Sequence, residues 1–143
     1  MILITGGMYQ GKREFAKEKF NLKDCEILDF YTINSTIDIA SISSDNLIEL
    51  VKNNPGIKAL SGCEHQIRTM VNEGKDIEEI LTLWVEMVKE NFIYIFNDVS
   101  LGVVPIEKKE RFFREATGKV VTMIANKAEK VYRIFCGIPM TLK

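Results

Sequence analysis

The first thirteen residues, MILITGGMYQGKR, constrain the fold more than any other part of this sequence. The apolar residues at their start predict a strand over 1–5, the glycines predict a tight loop over 6–11, and residues 12–20 predict a helix. A strand followed by a glycine-rich loop and a helix is the context in which phosphate-binding loops occur.

Gly6, Gly11 and Lys12 match G-x-x-x-x-G-K, the start of a P-loop. Glycines let such a loop turn tightly, and its amides form an anion cradle with the first turn of the helix. Lys12 would add a mobile charge for the β and γ phosphates. The alternative is an ordinary glycine-rich turn with a solvated lysine. The predicted phosphate-binding residues are Gly6, Gly7, Met8, Tyr9, Gln10, Gly11, Lys12 and Arg13.

Arg13 stands where a P-loop has Ser or Thr, whose hydroxyl binds the Mg²⁺ of the nucleotide. A guanidinium cannot ligate Mg²⁺ and would compete with it for phosphate. Three alternatives follow: Mg²⁺ is held through water and other oxygens, Arg13 partly replaces its charge, or the site binds a nucleotide without turnover. The sequence predicts no protein ligand to a metal.

Strand and helix patterns alternate along the rest of the chain. Strands are predicted over 26–33, 57–60, 92–96 and 131–136, and helices over 46–53, 63–72, 77–91 and 107–130. Asp45 and Asp76 are the predicted caps of two of these helices, and Trp84 belongs to a helical stripe typical of a core. The alternation predicts an α/β domain over 1–143, with a mostly parallel sheet covered by helices on both faces.

The charge is balanced, with 19 basic and 20 acidic residues, which argues against nucleic acid or an anionic membrane as the main partner. No apolar run is long enough to span a bilayer, and Met1 leads into the first strand without the pattern of a signal peptide. These features predict a cytoplasmic protein. Cys25, Cys63 and Cys136 are widely spaced and are predicted to be reduced, largely buried thiols.

Several segments carry a family resemblance. Asn97–Pro105, NDVSLGVVP, resembles the N-E-V-G-x-G-I-V-P segment of the adenosylcobinamide kinase/adenosylcobinamide-phosphate guanylyltransferase family. Arg111–Gly118 is similar to that family's R-x-F-R-D-x-x-G, and Gly137–Lys143 to its S-G-I-P-x-x-L-K ending. ILITGG-x-x-x-GK resembles its N-terminus. The resemblance covers residues 1–20 and 92–143.

The resemblance implies a RecA-like P-loop α/β fold that ends in a β-hairpin, and a homo-oligomer. It also implies a role in cobalamin assembly and salvage. Family members phosphorylate the aminopropanol hydroxyl of adenosylcobinamide with a nucleoside triphosphate, ATP or GTP. They then transfer GMP from GTP to that phosphate through a guanylylated histidine. Mg²⁺ would accompany the nucleotide, although its usual P-loop hydroxyl ligand is absent here.

Some family positions differ in ways that concern the chemistry. The guanylylated histidine lies in an R-I-x-x-H-x-x-R-R motif, whereas the matching residues 34–51 contain neither His nor Arg. The aspartate of the family's D-C-L-T-x-W is matched by Gly62, and an N-Q pair in the long helix by Val121 and Thr122. We therefore expect nucleotide binding and kinase activity to be retained in preference to guanylyl transfer.

Two residues after the third strand have alternative interpretations. His65 to Arg68 fits H-x-x-R, which makes His65 a candidate catalytic residue as a displaced guanylylation site. The alternative is a hydrogen-bonded or solvated histidine near a helix start. Glu64 would either orient Mg²⁺ or be a surface charge.

Asp98 follows the apolar strand 92–96, and ligands of α/β proteins bind at the carboxyl ends of strands. It is a candidate catalytic carboxylate that would hold metal-bound water or act as a base toward the acceptor hydroxyl. The alternative is a cap for the following loop. Arg111 and Arg114 share a helix face, where they would contact phosphates or form a solvated basic surface.

Together these residues predict an enzyme of the cobinamide kinase family, with Lys12 stabilising the transferred charge and Asp98 as the remaining carboxylate. A second interpretation is a degenerate homologue that binds a nucleotide or a corrinoid and transfers nothing. A third, a P-loop kinase for another small metabolite, leaves the C-terminal resemblance unexplained.

Overall fold

The computed structural model describes residues 1–31 and 43–143. Its strands are β1 Ile2–Gly6, β2 Ile27–Asp29, β3 Ala59–Ser61, β4 Ile93–Asn97, β5 Lys130–Phe135 and β6 Ile138–Thr141. The helices in these residues are α1 Lys12–Phe20, α2 Ser44–Asn53, α3 Cys63–Asn72, α4 Ile77–Met87 and α5 Lys108–Lys127.

All six strands form one sheet in the order β2-β3-β4-β1-β5-β6. The first five in this order run parallel, and β6 returns antiparallel beside β5 as a hairpin. Gly6, at the end of β1, pairs with Asn97 on one side and with Ile134 on the other. The mostly parallel sheet and the C-terminal hairpin are therefore confirmed, and the carboxyl ends of β1, β3 and β4 lie side by side.

Apolar side chains cover both faces of the sheet. On one face, Ile4 and Ile134 pack with Ala16 of α1, and none of the three is exposed to solvent. On the other face, Trp84 of α4 is fully buried with its ring centroid 5.5 Å from that of Phe96. Helices on both faces and a core role for Trp84 are thus confirmed.

The second strand is shorter than the predicted 26–33. Asp24–Glu26 form a 3-10 turn, β2 ends at Asp29, and Tyr31 is already helical. The strand ends there because Asp29 Oδ1 accepts a hydrogen bond from the Tyr31 N–H at 2.9 Å, which closes a turn. The rest of that prediction, and most of the ambiguous polar stretch after it, fall on residues 32–42, outside the described part of the chain.

Two predicted helix caps have different outcomes. Asp76 caps α4 as predicted: its Oδ1 accepts from the Glu79 N–H at 2.9 Å, and Glu79 Oε2 accepts from the Asp76 N–H at 2.8 Å. The predicted cap Asp45 is wrong, because α2 begins before it and Ser43 Oγ accepts from the Asn46 N–H at 3.4 Å. Serine and aspartate cap helices about equally well, so local sequence does not choose between them.

The helix predicted over 77–91 ends early, at Met87. Val88 is extended, with φ −72° and ψ 120°, and the Lys89 N–H donates to Tyr94 Oη at 2.8 Å. A tertiary hydrogen bond to the buried tyrosine therefore replaces the last helical turn. Among the described residues, no helix has both the length and the apolar character needed to cross a bilayer.

Two of the three cysteines are exposed, which corrects the prediction of largely buried thiols. Cys63 is buried at the start of α3, but Cys25 lies in the 3-10 turn and Cys136 in the turn between β5 and β6. Turns lie at protein surfaces because buried turns would leave backbone groups unpaired. All three thiols are free.

A side chain at Gly6 is expected to destabilise the fold. A Cβ there would lie 2.3 Å from the Ile134 carbonyl oxygen, and φ is +151°. Gly6→Ala is therefore expected to lower the free energy of unfolding by about 3 kcal/mol, since the backbone of β5 must move. Urea denaturation measures this change.

Gly118→Ala is the matched control for that substitution. A Cβ at Gly118 meets nothing within 4 Å on the exposed face of α5. It is expected to raise the free energy of unfolding by about 0.5–1 kcal/mol through helix propensity. Equal stability of Gly6→Ala and the wild type would contradict the close approach of the two strands.

Candidate active site

The loop 6–12 joins β1 to α1 in a tight turn. Gly6, Tyr9 and Gly11 have φ values of 151°, 59° and 84°, and only the glycines adopt such angles without strain. α1 begins after Gly11 with no side-chain cap. The amides of its first turn and the positive end of the helix dipole therefore face this loop, an arrangement that suits an anion.

Lys12 is a buried cation at the end of this loop. Only 7% of its surface is exposed, and its Nζ donates a hydrogen bond to the Gly7 carbonyl at 2.6 Å. Burial lowers the pKa of the Lys12 ammonium, while the negative charge of Glu64 opposes the shift. The alternative of a solvated Lys12 is therefore wrong.

A cavity of about 290 Å³, which we name the loop cavity, opens beside this turn. Residues 8–14 form one of its walls. Its other walls come from residues at the carboxyl ends of β2, β3 and β4, including Asp29, Tyr31, Gly62 and Asn97. The cavity lies at the edge of the sheet where α/β proteins bind ligands, and its volume is at the small end of the range for such sites.

Arg13 is held by two aspartates near the end of β2. Its Nη1 donates to Asp29 Oδ2 at 2.8 Å, and its Nη2 donates to Asp24 Oδ1 at 3.0 Å. The Asp29 side chain is only 10% exposed, so this pair is screened less by water than a surface pair. Asp29 Oδ1 accepts from the Tyr31 N–H. Both oxygens of Asp29 are thus engaged.

Glu64 is the centre of a buried polar network. Its Oε1 accepts from the Tyr31 hydroxyl at 2.5 Å and from Asn97 Nδ2 at 2.6 Å, and its Oε2 accepts from the Asn97 N–H at 3.0 Å. Only 3% of Glu64 is exposed, so the expectation of a surface charge is wrong. Three donors stabilise the carboxylate, and burial together with Glu64 raises the pKa of the Tyr31 hydroxyl.

Gly62, which matches the family's aspartate, is required by the packing of Tyr31. Its φ is +70°, and a Cβ there would lie 2.6 Å from Tyr31 Cδ2. Any larger residue would displace the ring and with it a donor to Glu64. The loss of the aspartate and the presence of this tyrosine are therefore physically connected.

His65 lies in the first turn of α3, outside the residues that line the loop cavity. Its ring centroid is 4.0 Å from that of Tyr31, at an interplanar angle of 74°. With Met8 and Arg68 it lines a smaller cavity of about 150 Å³, and Tyr31 and Met8 border both cavities. Burial lowers the pKa of the His65 imidazole. The negative charge of Glu64 opposes this shift, and the positive charge of Arg68 adds to it.

Asp98 follows β4, and its N–H donates to the Gly6 carbonyl at 2.9 Å. Its Oδ1 accepts from the Ser100 N–H at 3.1 Å, and its Oδ2 lies 3.6 Å from Arg133 Nη2. The carboxylate therefore caps the following loop, the alternative considered from the sequence. It also lines a second cavity, of about 310 Å³, which adjoins the loop cavity at Asn97. Its catalytic role stays a prediction.

The arginines of α5 have different surroundings. Arg111 Nη1 donates to the carbonyls of Pro105 and Ile106, which anchors the preceding loop to the helix. Arg114 lines the second cavity. Arg111 is thus used for structure, and only Arg114 of this pair lies at a cavity near β4.

Sequence reasoning missed Asp29, Tyr31 and Asn97 as residues that line the loop cavity, and it misjudged Glu64. A signal existed for two of them. Asp29 and Asn97 are polar residues that end apolar strands, the same feature that made Asp98 a candidate. Tyr31 had no such signal, because its role depends on the distant Gly62 and Glu64.

Removal of the charge on Glu64 is expected to weaken the buried network. Glu64→Gln leaves one carbonyl oxygen where two carboxylate oxygens accept hydrogen bonds, and its amide opposes the donors of Asn97. We expect the free energy of unfolding to fall by about 2 kcal/mol. Chemical denaturation measures the loss.

The control for Glu64→Gln is Glu115→Gln on the surface of α5. Glu115 Oε1 lies 2.9 Å from Lys119 Nζ, and both side chains are about half exposed. Its substitution is expected to cost less than about 0.5 kcal/mol. Equal effects of the two substitutions would argue that the Glu64 network contributes no more than a surface pair.

Comparison with known families agrees with this architecture. Residues 35–142 match the family described as cobinamide kinase / cobinamide phosphate guanyltransferase, and no curated protein matches the chain. The match includes every element from α2 to β6 but not residues 1–34, so the loop 6–12 is identified by its own motif and geometry. Because the matched residues form most of the 143, the chain belongs to the cobinamide kinase/cobinamide phosphate guanyltransferase family.

Proposed function

We propose that this chain binds a nucleoside triphosphate, ATP or GTP, at the loop 6–12 and transfers its terminal phosphoryl group to the hydroxyl of adenosylcobinamide. The observation that carries this proposal is the buried Lys12 at the N-terminus of α1, beside the loop cavity. A cation and free helix amides at one point provide the positive charge that a polyphosphate needs.

Asp98 is the residue we propose as the base for the acceptor hydroxyl. Its backbone is bonded to Gly6 at the start of the loop, so its carboxylate lies one strand away from the proposed phosphate site. The second cavity, which Asp98 shares with Arg114 and Arg133, would receive the acceptor. These two guanidinium groups suit the phosphate that the product would carry.

Guanylyl transfer is not part of the proposed function. The family's histidine has no counterpart in residues 34–51, and His65 lines a different cavity from Lys12, with Tyr31 bordering both. A histidine nucleophile has to reach the α-phosphate of a nucleotide held by the loop, and the ring of Tyr31 packs against His65 on that side.

The alternative is a homologue that binds a nucleotide or a corrinoid without turnover. The specific observation that favours it is the hydrogen bond between Arg13 and Asp29, which uses a carboxylate at the end of β2. Binding and transfer therefore need separate measurements.

Lys12→Met is expected to weaken nucleotide binding without loss of the fold. The substitution keeps the length of the side chain and removes a buried charge, so the free energy of unfolding should not fall. The loss of a charge-assisted contact to phosphate should weaken binding about tenfold to hundredfold. Thermal shift with ATP and with GTP measures this. Lys19→Met, at an exposed position of the same helix, is the control and should bind normally.

Transfer is tested with GTP or ATP labelled on either the γ or the α phosphate, incubated with adenosylcobinamide. We expect the γ label to appear on the corrinoid and the α label to appear on neither corrinoid nor protein. Asp98→Asn is expected to reduce γ transfer by about 100-fold or more with little change in nucleotide affinity. An α-label adduct that His65→Ala removes would contradict the proposal, and tight binding without γ transfer would establish the non-catalytic alternative.

A further inference from the structure

Position 13 determines how the charge of a bound triphosphate would be balanced. In a P-loop, Mg²⁺ is held by the hydroxyl at this position and by a carboxylate near a strand end, usually through water. Mg²⁺ prefers oxygen ligands in near-octahedral geometry and is held by few protein groups. Whether Mg²⁺ fits this site therefore depends on whether the nearby carboxylates already accept hydrogen bonds from other groups.

The carboxylates that end β2 or follow β3 and β4 are already bonded to other groups, whereas Glu14 of the loop cavity is exposed on α1. Asp29 accepts from Arg13 at one oxygen and from the Tyr31 N–H at the other. Glu64 accepts three hydrogen bonds from Tyr31 and Asn97. A metal ion would have to break these bonds and also find a replacement for the missing hydroxyl. The described residues therefore do not fit the usual Mg²⁺ site of a P-loop.

Arg13 is placed to supply the missing charge. It lines the loop cavity next to Lys12, and its side chain is 31% exposed. Its two hydrogen bonds to Asp29 and Asp24 use one N–H of each terminal nitrogen, and a guanidinium has further N–H donors. The aspartates thus fix the group without using all its donors. A planar guanidinium with free N–H groups is well suited to phosphate oxygens.

We propose that this site binds the free, metal-less form of a nucleoside triphosphate, with Arg13 in the role that Mg²⁺ has in other P-loops. The inference rests on the proposed function, because it concerns the same triphosphate. It goes further in naming the ionic form of the ligand and the residue that selects it. It applies to binding, whether or not transfer follows.

The experiment is a titration of the full chain with ATP and with GTP by calorimetry, in EDTA and in excess Mg²⁺. The affinity in EDTA is expected to be at least as tight as in Mg²⁺, because Mg²⁺ lowers the concentration of the free triphosphate and shields its charge. Binding that occurs only in Mg²⁺ would overturn the inference.

Variants of position 13 test the assigned residue. Arg13→Ser restores the hydroxyl of a P-loop and is expected to weaken binding in EDTA by about tenfold or more, with recovery in Mg²⁺. Arg13→Lys keeps a positive charge and is expected to bind in EDTA at least about tenfold more tightly than Arg13→Ser. If Arg13→Ser loses its thermal transition, the comparison of Arg13→Lys with the wild type in the two buffers decides the question.

Lys17→Ser is the matched control. Lys17 Nζ donates to the other oxygen of Asp24 at 2.8 Å, so its removal takes a cation from the same aspartate and leaves Arg13 in place. Its affinity in EDTA is expected to equal that of the wild type. An Arg13→Ser variant that binds in EDTA as tightly as this control would overturn the role of Arg13.

The outcomes separate this inference from the proposed function. A chain that binds no nucleotide in either buffer contradicts both. A chain that binds only with Mg²⁺, and loses that binding in Glu14→Gln, retains the proposed function and places the metal on the remaining carboxylate of the loop cavity, Glu14. That result refutes only the metal-free form of the ligand.

Discussion

The parallel pairing of β1 with β4 and β5 is the constraint on which the candidate site depends. It aligns Gly6 with Asn97 and Ile134, so the loop starts beside the end of β4 and against the backbone of β5. Only a residue without a side chain fits at that point. The glycine therefore determines where the chain leaves the sheet and where α1 begins, and this brings Lys12 close to the residues that follow β3 and β4.

Much of the fold could be predicted from the sequence because its signals are local. The apolar run of β4 indicates a strand buried on both faces, and the G-x-x-x-x-G-K motif marks the loop within a few residues. The site was predicted only in part. Tyr31 and Glu64 are separated by 33 positions, and Tyr31 and Asn97 by 66, so no local spacing encodes their hydrogen bonds. The end of α4 was missed because a tertiary hydrogen bond to Tyr94 replaced the last helical turn, and the end of β2 because Asp29 closes a turn.

Two of the departures from the family pattern, Gly62 and Arg13, are connected in space. Gly62 leaves room for the ring of Tyr31, whose hydroxyl donates to Glu64, two residues beyond the position of the missing aspartate. The backbone of Tyr31 in turn engages Asp29, which holds Arg13. These two positions look independent along the chain, but they belong to one connected set of contacts. A single reversion toward the family sequence would therefore disturb its neighbours.

The network around Glu64 also bears on the order of events during folding. It joins residues just after β2 and β3 to the last residue of β4, and none of its bonds to Tyr31 or Asn97 can form until these strands are in register. We expect polar contacts of such wide separation to be completed late, after the hydrophobic faces have collapsed. We therefore expect the site to be assembled at the end of folding, and a substitution that destabilises the pairing of β2 to alter the cavity without touching it.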